Sequence, residues 1–156
     1  MRFITNKAKL LPAVPLLLLA SVSASKVAAK CTVSIDSPRG GEAVGAQRDV
    51  SGTASVPPGK YLWVLAHKRG LGKWWPQGSG PALIEPDGKW TASVTYGEDR
   101  DNGPFEVTAA IFEQGANTTL LKWVSTAEKT GRYPPLALPT IAARCTSASV
   151  TVNKAQ

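Results

Sequence analysis

The single histidine of the chain, His67, stands beside Lys68 and Arg69 at the head of a segment that runs on as GLGKWWPQGSG to Gly80. Lys68, Arg69 and Lys73 precede a tandem tryptophan, Trp74-Trp75, and Pro76-Gln77 follows it. Adjacent indoles flanked by cations can serve three ends. They can fold back to cover the end of a structure. They can anchor a protein interface, where Trp and Arg carry a disproportionate share of binding energy. They can also form a stacking platform for a sugar ring. The residue types leave all three open, and they mark Trp74, Trp75, Lys68, Arg69, Lys73 and Gln77 as candidate contact residues.

Catalysis is a poorer use of the same side chains. A Ser–His–Asp arrangement needs its histidine in a cleft with a carboxylate and a strained serine turn. No G-x-S-x-G segment occurs, and His67 ends an apolar run, where it reads as a polar cap. Two carboxylates for glycoside hydrolysis could be drawn from Glu85, Asp87, Glu98, Asp99 and Asp101. These fall mostly in turn segments, where acidic residues serve the backbone. Glu98-Asp-Arg-Asp-Asn-Gly103 superficially resembles a calcium loop, but it lacks alternating ligands and Ala110 stands where an EF-hand glutamate would be. One histidine and a committed cysteine pair disfavour zinc. The expectation is a non-enzymatic protein with no cofactor and no metal.

The elements around these residues begin with a leader. Arg2, Lys7 and Lys9 precede a short apolar run, Leu10 to Ala20, broken by Pro12 and Pro15. Small residues follow at Val22-Ser23-Ala24 and Val27-Ala28-Ala29. Such a run is too short for a comfortable membrane span and reads as a cleaved signal peptide. Residues 1–24 are assigned to it, with cleavage as late as 29, and residues 31–152 to one folded domain. Lys30 argues against lipidation at Cys31. Loss of the leader removes three of 18 basic residues and no acidic one, so the formal charge falls from +7 to 15 − 11 = +4. That excess is too diffuse for a nucleic-acid protein. The expected setting is periplasmic or secreted, with no membrane span in the mature chain and a monomeric state.

Cys31 and Cys145 flank almost the whole mature chain, and in an exported protein an even pair reads as a disulfide. Between them lie short alternating segments. Cys31–Asp36 and Gln47–Ala54 read as strands, the second poor in apolar residues and therefore near an edge. Lys60–His67 is apolar on both faces, so it belongs in the middle of something. Ala82–Glu85 reads as a short strand before a Pro86-Asp-Gly88 turn. Lys89–Gly97 alternates with Trp90, Ala92, Val94 and Tyr96 inward, and Phe105–Phe112 with Phe105, Val107, Ala109 and Ile111 inward. One helix follows, with Asn117 as its N-cap and Gly131 at a left-handed C-terminal position. Arg132–Pro139 is irregular and proline-rich. A last strand from about Ala143 to Val152 puts Cys145 on the wrong face unless a bulge intervenes. About seven strands and one short helix describe an all-β, immunoglobulin-like antiparallel sandwich.

Several phrases also carry a resemblance: Ile35-Asp-Ser-Pro-Arg-Gly-Gly41, Val50-Ser-Gly-Thr-Ala54, Pro58-Gly-Lys-Tyr-Leu-Trp-Val64, Trp74-Trp-Pro-Gln77, Asp87-Gly-Lys-Trp90 and Thr130-Gly-Arg-Tyr-Pro. In this order they are similar to a loosely defined bacterial group of immunoglobulin-like modules, stand-alone or attached to surface and signalling proteins. The resemblance spans roughly residues 33–152 and implies the sandwich fold; it brings no catalytic motif. The terminal cysteine pair departs from the group's pattern. The functional expectation is a recognition or scaffolding module for a protein or surface partner, with a carbohydrate-binding module as the alternative.

Overall fold

A strand that is apolar on both faces needs a cover on each, and the fold is built to supply them. The computed structural model describes residues 30–155, so the assigned leader lies outside the described residues. In chain order the elements are β1 (Thr32–Val33), β2 (Ala43–Val44), β3 (Gln47–Ser55), β4 (Lys60–Lys68), β5 (Trp75–Pro76), β6 (Lys89–Thr95), β7 (Gly103–Glu113), α1 (Gln114–Thr130) and β8 (Ser147–Lys154). They form a three-stranded sheet, β1-β3-β6, and a five-stranded sheet, β2-β8-β7-β4-β5.

Leu62, Val64 and Ala66 of β4 face the small sheet and pack with Val50, Trp90 and Val94. Phe105, Val107, Ala109 and Ile111 of β7 join the same core. The opposite face of β4, Trp63 and Leu65, packs with Ala110 and Phe112 of β7 and with Leu120 and Val124 of α1. The large sheet is therefore covered on both sides, by a sheet within and by a helix without. Each fully buried aliphatic or aromatic side chain contributes about 1.5–3 kcal/mol of transfer free energy. The helix earns its place through a stripe at Asn117, Leu120, Val124 and Ala127, spaced to share one face.

Several sequence expectations change. Gln47–Ala54 is no edge: β3 lies between β1 and β6, and it is poor in apolar residues because its outer face meets solvent. Ala82–Glu85 forms no strand and makes a single bridge, Ile84 to Trp90. Regular pairing in the first strand is confined to Thr32–Val33, although hydrogen bonds to β3 continue through Ser37. β7 passes straight into α1, so the N-cap is Glu113 and Asn117 sits inside the helix. The last strand starts only at Ser147. Cys145 precedes it, in a turn where Arg144 has a φ of 63°, and this removes the parity conflict without a bulge. The Cys31–Cys145 disulfide is formed, with Cα atoms 4.6 Å apart. Two expectations hold in detail. Gly88 (φ 84°) closes the Pro86-Asp-Gly88 turn, and Gly131 (φ 66°) ends the helix with its N–H on the Ala127 carbonyl. Among the described residues no helix is long and apolar enough to cross a membrane.

Candidate functional site

The two tandem tryptophans go separate ways, because neighbours on an extended backbone point to opposite sides. Trp74 folds inward. It is 9% exposed, and its ring stacks on His67 with centroids 3.9 Å apart and planes 22° apart. Its backbone exchanges two hydrogen bonds with Leu136 of the proline-rich strap (N to O 2.7 Å, and 2.9 Å in return). Trp75 enters β5 opposite Ala66 of β4, and its half-buried indole donates to the Tyr133 carbonyl at 2.8 Å.

The fifth tryptophan, Trp123 of α1, donates to the Pro134 carbonyl at 2.8 Å and meets the Tyr133 ring edge-on at 6.0 Å. Strap, helix end and tryptophan loop are thereby tied together. Beside them opens a cleft of about 700 Å³, whose aromatic and aliphatic lining includes Trp75, Trp123, Tyr133 and Leu71. Lys68, Glu98 and Asp101 supply charge to the same lining.

Most polar groups there are already committed. Gln77 is buried; its Oε1 accepts from the Thr95 N–H at 2.9 Å and its Nε2 donates to the Trp75 carbonyl at 3.0 Å. It ties the edge of the large sheet to the end of the small one, so its work is internal. Asp101 Oδ2 accepts from the Glu98 N–H at 2.9 Å, and Oδ1 lies 3.4 Å from Lys68 Nζ. The Glu98 amide, with help from Lys68, holds the Asp101 carboxyl below its usual range. Lys154, buried at the end of β8, donates to the Glu98 carbonyl at 2.5 Å and pins the same turn. Glu98 itself pairs with Arg100 at 2.9 Å.

His67 is buried, with Nε2 3.4 Å from Glu106 Oε2 and no hydrogen-bond partner on Nδ1. Asp87 is bound to Lys89 at 2.7 Å in its turn. Among the described residues no three His, Cys, Asp or Glu side chains gather as metal ligands.

Of the six candidate contact residues, then, Trp75, Lys68 and Gln77 line the cleft, while Arg69 and Lys73 are exposed close by in sequence. Trp74 is internal, and Gln77 reaches the cleft wall with its amide already bonded inside the fold. Trp123, Tyr133 and Leu71 were not singled out from the sequence. The one signal in the sequence is that Trp123 and Tyr133 are large aromatics outside the His67–Gly80 segment. No family model matches the chain, and no curated protein is similar to it at a significant level.

Proposed function

We propose that the chain is an exported, non-enzymatic immunoglobulin-like module that recognises a protein partner through the surface centred on Trp75. Strand orders β1-β3-β6 and β8-β7-β4 support the immunoglobulin-like reading, since they parallel the A-B-E and G-F-C ladders of such domains, here with a helix before the last strand. The disulfide and the leader read from the sequence support export to a periplasm or beyond.

One observation carries the recognition reading. Among the described residues the prominently exposed large apolar side chains are Leu71, Leu83, Leu121 and Tyr133. Two of them, Leu71 and Tyr133, line the same cleft as the half-buried Trp75. Scattered exposed leucines are ordinary, but two exposed apolar side chains sharing a cleft with a half-buried tryptophan have the makeup of a contact surface. The carbohydrate alternative is weaker. Trp74 is buried and stacked on His67, so the tandem offers no two-ring platform, and few free hydrogen-bonding groups remain in the cleft to meet hydroxyls.

A photo-crosslinking residue at position 133 tests the reading, with one at position 49, on the solvent-facing side of β3, as control. The expected result is a discrete protein adduct from position 133 only, lost with Trp75→Ala. Equal labelling from both positions, or Trp75-dependent retention on a glycan array, overturns it.

A further inference from the structure

We propose that the cleft accepts a short acidic segment of the partner, seating one apolar or aromatic side chain of that segment among Trp75, Trp123 and Tyr133. This rests on the protein-contact reading above and adds the chemistry of what is contacted.

The charges around the cleft divide into spent and unspent. The carboxylates of the lining are spent: Asp101 on Lys68 and the Glu98 amide, Glu98 on Arg100. Glu106, next to it, faces His67. Five bases are unspent. Arg69, Lys73, Lys122, Lys129 and Arg132 are exposed and pair with no carboxylate among the described residues. Each lies within two positions of a lining residue: Arg69 beside Lys68, Lys73 before Trp75, Lys122 beside Trp123, and Lys129 and Arg132 on either side of Gly131. Asp99, beside Glu98, and Glu128, in the last helical turn, are exposed acids without a cationic partner among the described residues, and the set stays positive.

The centre of the cleft has the opposite character. Both indole N–H groups are committed to strap carbonyls, so Trp75 and Trp123 offer ring surface rather than donors. A site with an apolar centre and a cationic rim matches a ligand with an apolar anchor and negative flanks. Rim charges of this kind raise the association rate and lend salt dependence, while the desolvated anchor holds the complex.

The test uses the purified protein with three labelled short peptides built around a central Leu-Phe pair, flanked by Glu/Asp, by Gln/Asn or by Lys. Dextran sulfate serves as a non-peptide polyanion. The acidic peptide is expected to bind roughly tenfold tighter than the neutral one at low salt, with the preference collapsing at high salt. Combined Arg69→Gln, Lys73→Gln, Lys122→Gln, Lys129→Gln and Arg132→Gln should abolish the preference, whereas Lys89→Gln on the small sheet should leave it. Trp75→Ala should weaken acidic and neutral peptides alike, with circular dichroism confirming the fold and Trp75→Phe restoring part of the binding.

Equal, Trp75-dependent binding of acidic and neutral peptides overturns the acidic assignment and leaves the contact reading standing. Equal affinity for dextran sulfate, indifferent to Trp75→Ala, reveals a general polyanion effect and also overturns it. No binding by any peptide overturns it too, and the crosslinking result from position 133 then decides the fate of the contact reading separately.

Discussion

The indole N–H of Trp63 donates to Asn117 Oδ1 at 2.9 Å, and both residues are buried. This is the polar joint between the large sheet and the helix that covers it. Removing the acceptor leaves a buried donor with no partner, at a cost of about 1–3 kcal/mol. Asn117→Leu should lower the urea midpoint accordingly, and Trp63→Phe on that background should recover part of the loss.

Gly52 is held by contact rather than by a turn. A Cβ there would stand 2.0 Å from the Ser34 carbonyl oxygen and 2.9 Å from the Trp90 ring, two groups with little room to yield. Gly52→Ala should destabilise the fold by about 1–3 kcal/mol or more. Gly45→Ala, which meets nothing within 4 Å, should change thermal stability little.

Trp74 and Trp75 should separate in their effects. Trp74→Ala removes a buried ring from the helix-side core and should cost about 3–5 kcal/mol. Trp75→Ala removes a half-buried ring and should cost much less in stability while abolishing the adduct at position 133. Paired denaturation and crosslinking measurements check the contrast.

Two ionisable groups set limits on pH. Burial pushes the Tyr96 hydroxyl up to about 12. A raised folded value stabilises below the ordinary tyrosine range near 10 and is lost as pH rises toward about 12. Alkaline unfolding should therefore set in across that window, and Tyr96→Phe should remove this limb of the profile. Asp101 has the opposite sign. Its lowered value contributes above the ordinary aspartate range, near 4, and is lost as pH falls below it. The protection of the Glu98 amide relative to its intrinsic exchange rate should fall in acid, and Asp101→Asn should flatten that dependence.

The disulfide spans a sequence separation of 114 residues. Its reduction, or Cys31→Ser with Cys145→Ser, should lower stability by at most about 4–5 kcal/mol in the chain-entropy view. Denaturant titration with and without reductant measures it.

Much of this was legible in residue pattern. The double-faced apolar run from Lys60 to His67 belongs in the middle of a packed structure, and Gly131 stands where a left-handed helix cap would be. Asn117 was misread because an asparagine ahead of an apolar stripe looks the same whether it caps the helix or points inward to an indole; only the packing of Trp63 distinguishes them. Ala82–Glu85 has strand-like residues, but a single bridge to Trp90 is all its surroundings allow. The cleft was half legible. The tryptophan loop announced itself, whereas Trp123 and Tyr133 reach it through the docking of helix and strap, a tertiary event with no local signature. The spacing of the tandem indoles likewise could not say that one would turn under His67.

The bridge from Cys31 to Cys145 has a mechanical consequence. Tension applied between residues 30 and 155 enters at one sulfur, leaves by the other and runs out along β8, so the backbone from 32 to 144 is bypassed by the covalent path and feels the load only through its hydrogen bonds to β8. The load falls as shear on the β7–β8 ladder, which pairs from Ser147 to Lys154. Even complete peeling of residues 146–155 would lengthen the molecule by no more than ~35 Å. The tryptophan loop, the strap and the helix all lie within the stretch of backbone that the bridge bypasses.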